Sequence, residues 1–430
     1  MKKHKHIFII AGEPSGDLHG ANLVKSLKQK DSSLIITGIG GDLMSHEGME
    51  LFFHIRNLSV MGVTEVVMQF RRIKEAYDLL CKKMVENRPD LLLLIDYPGF
   101  NLKAAAFAKK RSIPVLYYIT PKVWAWKRSR LAKIKQYVDH AALIFPFEEA
   151  IFKKEKIPAT FVGHPLLDHY QYFGEPSFRI RLDRSCSDLH EDHDLKSHSD
   201  FNKEHDPLKK TDIKKKSSKV IGLLPGSRES EISGLLPIML ESCRLINKQL
   251  NDRQETAAIF IVSAASSINI RKFDKILEPY NQDGIFEVEY GGVEEIFRRC
   301  DLLIAASGTV TLEAAICGVP MVIVYKTAFL TYFLAKLFVT IPHVGLPNIV
   351  ARYPIVPELL QNDATPEKIS FKVLSMIDSN SLISIKKQLL MIPRYLGGTG
   401  ASKRTAHIAL QMIERSSCFF PDAQERVLSV

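Results

Sequence analysis

The sequence predicts an α/β protein built from two parallel sheets. Short apolar segments alternate with segments of helical periodicity, and the alternation occurs twice along the 430 residues. Fully apolar strands such as "LLLLI" (91–95) suit a parallel sheet covered by helices on both faces. A charged polar stretch separates the two series. We therefore expect two Rossmann-like lobes facing an interlobe cleft, with a flexible insertion between them.

The two series of apolar segments predict the individual strands. Those of the first series are 7–11, 34–39, 91–96, 115–120, 142–145 and 160–162, with helical segments at 21–29, 72–86 and 102–110. The second series begins at "KVIGLLPGSRESEI" (219–232) and continues at 257–265, 284–292, 300–308 and 319–325. Ligands of such folds bind at the carboxyl ends of the strands, which places the expected site in the cleft.

A change in composition near residue 183 sets the expected domain boundaries. Residues 1–183 form the first lobe, 219–392 the second, and 393–430 a helical tail that packs on the first lobe or on a partner subunit. Residues 184–218 are charged and polar, with one aromatic side chain, and cannot repay the entropy of folding. Their four histidines lack metal-ligand spacing, so we expect a flexible insertion without metal.

Composition limits the classes of protein and partner. The six cysteines form no C-x-x-C motif, which indicates reduced thiols in a cytosolic protein. No segment reaches the roughly 18–20 apolar residues of a membrane-spanning helix. The net charge of +10 indicates an anionic partner, which can be nucleic acid, a nucleotide or an acidic membrane surface.

The segment "LLIAASGTVTLEAAICGVP" (302–320) predicts a nucleotide site. A buried strand ends at Ser307, Gly308 and Thr309, and the amides of the helix that follows suit a diphosphate. Glu313, one turn into that helix, can bridge the two ribose hydroxyls. The alternative is an ordinary helix capped by Thr309, and this segment alone does not decide between the two.

A second turn of this kind opens the same lobe. In "LLPGSRESEI" (223–232), Gly226, Ser227 and Arg228 form a tight basic turn, and a guanidinium can bind a phosphate through two hydrogen bonds. The alternative is a surface arginine in a capping turn. Two such turns in one lobe favour nucleotide binding.

A carboxylate ends the most apolar strand of the first lobe. In "DLLLLIDYPGFN" (90–101), Asp96 stands at the carboxyl end of the strand, where a general base is well placed. The alternative is an N-cap for a helix that starts near Leu102, but Asp96 lies several residues early for that role. We favour the catalytic interpretation.

The first turn of the chain, "AGEPSGDLHG" (11–20), lacks the G-x-G-x-x-G spacing of a dinucleotide loop. Its two carboxylates would also repel a diphosphate, so we expect this turn to line the first lobe's side of the cleft, where the acceptor of a group carried by the nucleotide would bind. The alternative for its serine is the N-cap of a helix over 17–28. The acceptor-site candidates here are Glu13, Ser15, Gly16 and Asp17.

The segment "YITPKVWAWKRSRLAKI" (118–134) contains both tryptophans and a basic helix. Trp124 suits an anionic sugar or a lipid headgroup, and we include it among the acceptor-site candidates, with a place in the core as the alternative. No helix-turn-helix, zinc or RNA-binding signature accompanies it, so we expect no nucleic acid partner.

Two stretches, 59–77 and 325–350, combine apolar faces with basic borders. This pattern suits a segment that lies on a bilayer, although burial in the core explains part of each stretch. The membrane-facing candidates are Val66, Val67, Phe70, Arg71, Arg72, Phe329 and Phe333.

Taken together, these motifs resemble the lipid-A-disaccharide synthases. The segments that carry the resemblance include "AGEPSGDLHGANLVKSLK", "VMGVTEVV", "IDYPGFN", "TPKVWAWKRSR", "FVGHPLLD", "LLPGSRESEI", "ASGTVTLE" and "LPNIV". They occur in the family's order and spacing over residues 7–175 and 219–415. The insertion between these ranges is not part of the family pattern.

The resemblance implies a glycosyltransferase of the GT-B architecture that needs no metal and no cofactor. Its substrates would be UDP-2,3-diacylglucosamine and 2,3-diacylglucosamine 1-phosphate (lipid X), joined by a β-1,6 bond with inversion at the donor carbon. Asp96 matches the family's base, Arg228 and the segment 307–313 match its UDP-binding positions, and Asn348 in "LPNIV" matches a further position near the nucleotide. The expected location is the cytoplasmic face of the inner membrane, with peripheral attachment, and a homodimer is compatible with the resemblance.

Two other functions compete with this one. Another UDP-sugar enzyme of the same architecture would share the second-lobe turns but would not be expected to contain "VWAW" and "IDYPGFN". A lipid-binding module without catalytic activity would need neither Asp96 nor Glu313, so the presence of both argues against it.

Overall fold

The computed structural model describes residues 4–58, 65–123, 129–170, 218–265, 268–326, 343–379 and 381–419, with the backbone alone for 65–70, 129 and 416–419. These residues group into two compact units. Of the described residues, those between 4 and 169 and between 391 and 419 form one unit, and those between 170 and 326 and between 343 and 390 form the other. Each unit is built on its own parallel sheet.

The first unit contains a seven-stranded parallel sheet. Its strands are β1 (His6–Ala11), β2 (Ile35–Gly40), β3 (Glu50–His54), β4 (Leu91–Ile95), β5 (Val115–Tyr118), β6 (His140–Leu143) and β7 (Ala159–Phe161). The order across the sheet is β3-β2-β1-β4-β5-β6-β7. The order reverses between β1 and β4, where Ala11 lies opposite Ile95. The segments after these two strands therefore lie side by side, where ligands of open α/β sheets bind.

Helices connect the strands of this sheet. The connecting helices are α1 (Pro14–Lys30), α2 (Asp42–His46), α3 (Glu65–Glu86), α4 (Pro98–Lys109), α5 (Ser129–Tyr137) and α6 (Glu148–Lys154), and α7 (Leu166–Tyr170) follows the last strand, β7. All five residues of β4 are buried, and Leu80 of α3 and Ala104 of α4 are among the fully buried residues of the same core. Both the apolar strand and the helices around it thus follow from the sequence pattern.

The second unit contains a six-stranded parallel sheet. Its strands are β8 (Val220–Leu224), β9 (Ile259–Ala265), β10 (Phe286–Gly291), β11 (Leu302–Ala306), β12 (Met321–Tyr325) and β13 (Glu358–Leu360), in the order β10-β9-β8-β11-β12-β13. Its helices are α8 (Glu229–Asp252), α9 (Ile270–Leu277), α10 (Glu294–Arg299), α11 (Thr309–Ile316), α12 (Leu346–Ala351), α13 (Pro366–Asp378) and α14 (Ser381–Leu389). Here the order reverses between β8 and β11, where Leu224 lies opposite Ala305. The prediction of two Rossmann-like parallel sheets is confirmed.

The last two helices, α15 (Ile392–Tyr395) and α16 (Ala401–Phe419), belong to the first unit. Helix α16 packs against α1. The Asp168 carboxylate accepts hydrogen bonds from the amides of Gly400 and Ser402, and Nε of Arg404 donates to the carbonyl of Val162 over 2.7 Å. A half-buried carboxylate thus caps the start of α16 and fixes the tail on the first unit.

Candidate active site

Asp96 directly follows β4 at the point where the first sheet reverses its order. Burial raises the pKa of Asp96 and nearby Glu13 raises it further, while Lys122 and Arg130 act in the opposite direction. A carboxylate with a raised pKa is a stronger proton acceptor, so the site favours general-base chemistry.

The helix after Asp96 begins earlier than the sequence indicated. Helix α4 starts at Pro98 and not near Leu102, so Asp96 lies only two residues before it. Tyr97 occupies the N-cap position of α4, without a side-chain cap. The expectation that Asp96 lies several residues before the helix was therefore wrong. The N-cap residue of α4 is nevertheless Tyr97 and not Asp96.

The turn after β1 lies beside Asp96, because β1 and β4 are paired. Glu13 and Ser15 are exposed there, and Gly16 is buried. Helix α1 starts at Pro14 with Glu13 in the N-cap position, so Ser15 lies inside the helix and is not its cap. The ring of Tyr97 lies so close to Gly12 that a Cβ on Gly12 would come within 2.2 Å of a ring carbon.

Asp17 has a structural role in the same turn region. Its side chain is buried, Oδ1 accepts from the amides of Gly41 (2.8 Å) and Met44 (3.1 Å), and Oδ2 accepts from the amide of Leu43 (3.1 Å). These bonds satisfy the amides at the start of α2. Both carboxylate oxygens of Asp17 are therefore already bound within the protein.

In the second unit, the turns after β8 and β11 are neighbours, because these two strands are paired. In the first of these turns, Nη1 of Arg228 donates to Oε1 of Glu231 (2.9 Å), and the amide of Ser227 donates to Oε2 (3.3 Å). Gly226 has φ +112°, and a Cβ there would lie 2.5 Å from Oε2 of Glu231. The Arg228 side chain is 80% exposed, so its guanidinium is accessible to an anion.

The second of these turns leads into α11. Gly308, not Thr309, occupies the N-cap position, so the alternative of a Thr309 cap is wrong. Gly308 and Thr309 are exposed, and Ser307 is half-buried. A Cβ added to Gly308 meets nothing within 4 Å, so the surface in front of this turn is open. An exposed helix start with accessible backbone suits a diphosphate.

Glu313 is anchored by a tyrosine of the same unit. Tyr170, the last residue of α7 and the first of the second unit, donates from its hydroxyl to Oε2 of Glu313 over 3.0 Å. Burial raises the pKa of Glu313, the Tyr170 hydrogen bond lowers it, and Glu294 raises it. The carboxylate is thus oriented by a fixed donor, a feature that the sequence did not reveal.

Asn348 is fully buried and its side chain is used within the protein. Its Oδ1 accepts from the amides of Ile355 (2.8 Å) and Val356 (3.0 Å), and its Nδ2 donates to the carbonyl of Val356 (2.8 Å) and to Glu358 (2.7 Å). Asn348 therefore holds the backbone at Ile355 and Val356 and the Glu358 side chain, rather than presenting free donors to a ligand.

Glu358 is the residue of this region that the sequence analysis missed. Its Oε2 accepts from the amide of Val344 (2.9 Å) and its Oε1 from the amide of Gly345 (3.0 Å), while Oγ of Ser307 donates to the carbonyl of Val344 (3.2 Å). One carboxylate thus connects the segment before α12 to the turn after β11. The short strand β13, which starts at Glu358, was not predicted, so no signal pointed to this residue.

Several predicted residues lie beyond what the structure describes. Trp124, Phe329 and Phe333 lie outside the described residues, and Val66, Val67 and Phe70 lie in α3 with only their backbone described. Arg71 and Arg72 are exposed on α3, and Nε of Arg71 donates to Glu75 over 3.0 Å.

Among the described helices, none is long and apolar enough to cross a membrane. Within the same residues, no group of three or more His, Cys, Asp or Glu is placed to hold a metal.

Solved structures share this fold across nearly the whole chain. UDP-GlcNAc 2-epimerase from Neisseria meningitidis matches with a TM-score of 0.56 and 12% identity, covering 96% of this chain and 100% of that one. A glycosyltransferase from Rickettsia africae matches with a TM-score of 0.54 and 10% identity, again covering 96% and 100%. The fold, two Rossmann-like parallel sheets, is that of the GT-B glycosyltransferases.

Sequence relatives identify the family within that class. The profile described as lipid-A-disaccharide synthetase matches residues 7–182 and 193–412. A lipid-A-disaccharide synthase from Trichlorobacter lovleyi is 37% identical over 415 residues, covering 96% of this chain and 98% of that protein. One from Coxiella burnetii is 38% identical over 378 residues, covering 88% and 90%.

The chain belongs to the lipid-A-disaccharide synthase family, which makes it a glycosyltransferase of lipid A biosynthesis. Membership implies a sugar-nucleotide donor and a lipid acceptor. The profile leaves a gap only at residues 183–192 between its two matched ranges, so the family pattern extends further into the insertion than the motifs indicated.

Proposed function

We propose that the chain transfers the sugar of UDP-2,3-diacylglucosamine to O6 of 2,3-diacylglucosamine 1-phosphate, forming a β-1,6-linked disaccharide 1-phosphate and UDP with inversion at the donor carbon. The observation that carries the proposal is the position of Asp96. A carboxylate with a raised pKa follows a central strand, beside a turn that carries exposed polar groups.

On the acceptor side, Asp96 takes the proton of the acceptor hydroxyl as its oxygen attacks the anomeric carbon. The C1–O bond to UDP breaks on the opposite face, so the configuration inverts. Exposed Glu13 and Ser15 offer hydrogen-bonding groups to the sugar from the neighbouring turn, and Gly16 lets α1 pack closely on the sheet, since a Cβ there would lie 3.3 Å from that of Ala11. A general base of this kind contributes about 10²–10⁴ in rate.

On the donor side, Arg228 and the start of α11 bind the diphosphate, and Glu313 accepts hydrogen bonds from the ribose hydroxyls. The exposure of Arg228 and the open surface at Gly308 support this assignment. The partial positive charge of a helix start favours the developing charge on UDP as it leaves. Asn348 and Glu358 contribute by fixing the backbone next to the turn.

We further propose peripheral attachment to the cytoplasmic face of the inner membrane. Both proposed substrates carry acyl chains, so the enzyme must take them from a bilayer. The exposure of the basic residues Arg71 and Arg72 on α3 supports this location, because exposed cationic side chains attract anionic headgroups.

The decisive experiment supplies the purified enzyme with UDP-2,3-diacylglucosamine and lipid X and detects the disaccharide and UDP. Asp96→Asn should lower kcat by about 10²–10⁴ while the affinity for UDP stays the same. Asp283→Asn, which changes an exposed carboxylate of the turn before β10, is the control and should keep full activity. An Asp96→Asn enzyme with undiminished turnover would remove the base from the mechanism.

The nucleotide assignment is tested by calorimetric titration with UDP. Arg228→Ala should weaken binding by about 1–3 kcal/mol through loss of a charge-assisted contact. Arg253→Ala is a matched control, because Arg253 occupies the C-cap position at the other end of α8 and also pairs with a carboxylate, Asp378. Equal effects of the two substitutions would contradict the assignment.

A further inference from the structure

Asp96 and Tyr97 both adopt left-handed backbone conformations. Each has φ 45°, and they are the only consecutive non-glycine residues with positive φ in the part of the chain that the structure describes. A Cβ makes this region unfavourable, so the conformation persists only where surrounding groups hold it. The peptide plane between these two residues determines where the Asp96 side chain projects.

Two buried side chains hold that peptide plane. Oη of Tyr117, on β5, donates to the carbonyl of Asp96 over 2.8 Å, and Nδ2 of Asn101, on α4, donates to the same carbonyl over 2.7 Å. Nδ2 of Asn101 also donates to the carbonyl of Ile95 over 3.1 Å. Both side chains are fully buried, so water does not compete for these bonds.

The neighbouring contacts leave this peptide little freedom. The amide of Asp96 donates to the carbonyl of Tyr118 over 3.2 Å, and the ring of Tyr97 packs against Gly12. Burial, and then the charge of Asp96, raise the pKa of Tyr117, so its hydroxyl remains a donor. The Asp96 amide and the Tyr97 ring are thus already held. The two donors to the Asp96 carbonyl then fix the remaining rotation of the peptide plane between Asp96 and Tyr97.

We propose that Tyr117 and Asn101 are positioning residues, which hold the Asp96–Tyr97 peptide in its left-handed conformation and thereby direct the Asp96 carboxylate to the acceptor hydroxyl. This inference rests on the proposed role of Asp96 as the base. Neither side chain touches the substrate, and both act through the carbonyl of Asp96.

The experiment compares two adjacent tyrosines. Tyr117 and Tyr118 are both fully buried in β5, and they alternate in direction along the strand. Tyr117→Phe removes a donor to Asp96, whereas Tyr118→Phe removes an equally buried hydroxyl that does not bind the Asp96 carbonyl. We expect Tyr117→Phe to lower kcat by about tenfold or more, with the KM for the sugar nucleotide and the affinity for UDP unchanged. Tyr118→Phe should retain kcat.

Placing p-aminophenylalanine at position 117 restores a donor and should recover kcat. If Tyr117→Phe does not fold, Asn101→Ser carries the same test through the split between kcat and KM. A kcat of Tyr117→Phe equal to that of the unaltered enzyme overturns the inference, and so do equal losses in Tyr117→Phe and Tyr118→Phe. An inactive Asp96→Asn beside a fully active Tyr117→Phe refutes this inference alone, whereas a fully active Asp96→Asn refutes the proposed base.

Discussion

The side-chain amide of Asn348 donates a 2.7 Å hydrogen bond to the carboxylate of Glu358. The same carboxylate accepts hydrogen bonds from the amides of Val344 and Gly345. The carbonyl of Val344 in turn accepts a hydrogen bond from the hydroxyl of Ser307, in the turn after β11. A buried asparagine thus orients a glutamate that orders the backbone next to the proposed diphosphate site. We therefore expect both residues to influence the affinity for UDP without touching the nucleotide.

Glu358→Gln should therefore weaken UDP binding. The glutamine keeps the size of the side chain, but one of its two terminal atoms becomes a donor and cannot accept the amide of Val344 or Gly345. We expect a loss of about 1–3 kcal/mol in UDP affinity, measured by calorimetry. Glu278→Gln, at an exposed carboxylate of the same unit, is the control. Unchanged affinity in Glu358→Gln would show that the network is dispensable for binding.

Gly308→Ala tests the approach of the diphosphate directly. Gly308 has φ 170°, an extended conformation that alanine also adopts, and the added Cβ meets nothing within 4 Å. We therefore expect an unchanged melting temperature but UDP affinity lower by about tenfold, because the methyl group occupies the space of the phosphate.

Gly234→Ala provides the comparison for that variant. Gly234 lies inside α8, where a Cβ also meets nothing within 4 Å, so alanine should stabilise the helix by about 0.5–1 kcal/mol and leave UDP binding intact. If Gly308→Ala binds UDP as tightly as Gly234→Ala, the diphosphate does not approach this turn.

Tyr170→Phe should shift the pH dependence of UDP binding. The tyrosine hydroxyl lowers the pKa of Glu313, which burial has raised, so its removal raises that pKa further. In the proposed donor site, the ionised carboxylate is the form that would accept hydrogen bonds from the ribose hydroxyls. Affinity therefore falls as the pH drops through the pKa of Glu313, and in Tyr170→Phe this fall begins at higher pH.

UDP and 2′,3′-dideoxy-UDP separate this effect from a general loss of structure. The dideoxy nucleotide lacks the hydroxyls that Glu313 would bind, so Tyr170→Phe should leave its titration curve unchanged. Tyr280→Phe is the control, because it also removes a tyrosine hydroxyl but keeps the aromatic ring that Arg244 approaches. The same pH shift with both nucleotides would exclude Glu313 as the ribose ligand.

The sequence predicted the architecture because apolar periodicity reports burial. Segments such as 91–95 are buried throughout, and the structure contains strands at all the predicted positions, within a few residues. The strands it missed, β3 and β13, lie at the edges of their sheets, where every residue is half-buried or exposed. These two strands bury too little apolar surface for periodicity to mark them clearly, although the edge strand β7, in which no residue is buried either, was predicted.

The residues of the candidate site also divide into those that the sequence predicted and those that it missed. Motif positions such as Asp96, Arg228 and Gly308 follow strand ends, and the sequence places strand ends well. Tyr117 donates to the carbonyl of Asp96 from the neighbouring strand, and Glu358 accepts from the amides of Val344 and Gly345. Both residues are distant along the chain from the motifs, and the strand order brings them to these partners. Helix starts were also misplaced at α1 and α4, because a proline at the first helical turn begins each helix before its apolar periodicity does.

The buried histidines of the first unit predict a stability that depends on pH. Burial lowers the pKa of His19 from 6.5 to about 4, with His169 acting in the same direction and Asp168 against it. Burial also lowers the pKa of His164. Between pH 6.5 and about pH 4, His19 therefore binds a proton in the unfolded chain but not in the folded protein. The free energy of unfolding therefore falls as the pH falls through this range, by about 1.4 kcal/mol per pH unit for each such group.

His19→Gln isolates this contribution. The variant should be less stable near neutral pH, because a buried side chain is replaced, yet its stability should decline less steeply below about pH 6.5 than that of the unaltered enzyme. Urea titrations followed by hydrogen exchange in peptides of the first unit measure the two slopes. His407→Gln, at an exposed position on α16, should keep the slope of the unaltered enzyme. If His19→Gln keeps it as well, His19 binds its proton equally in the folded and unfolded states, and burial does not hold it neutral.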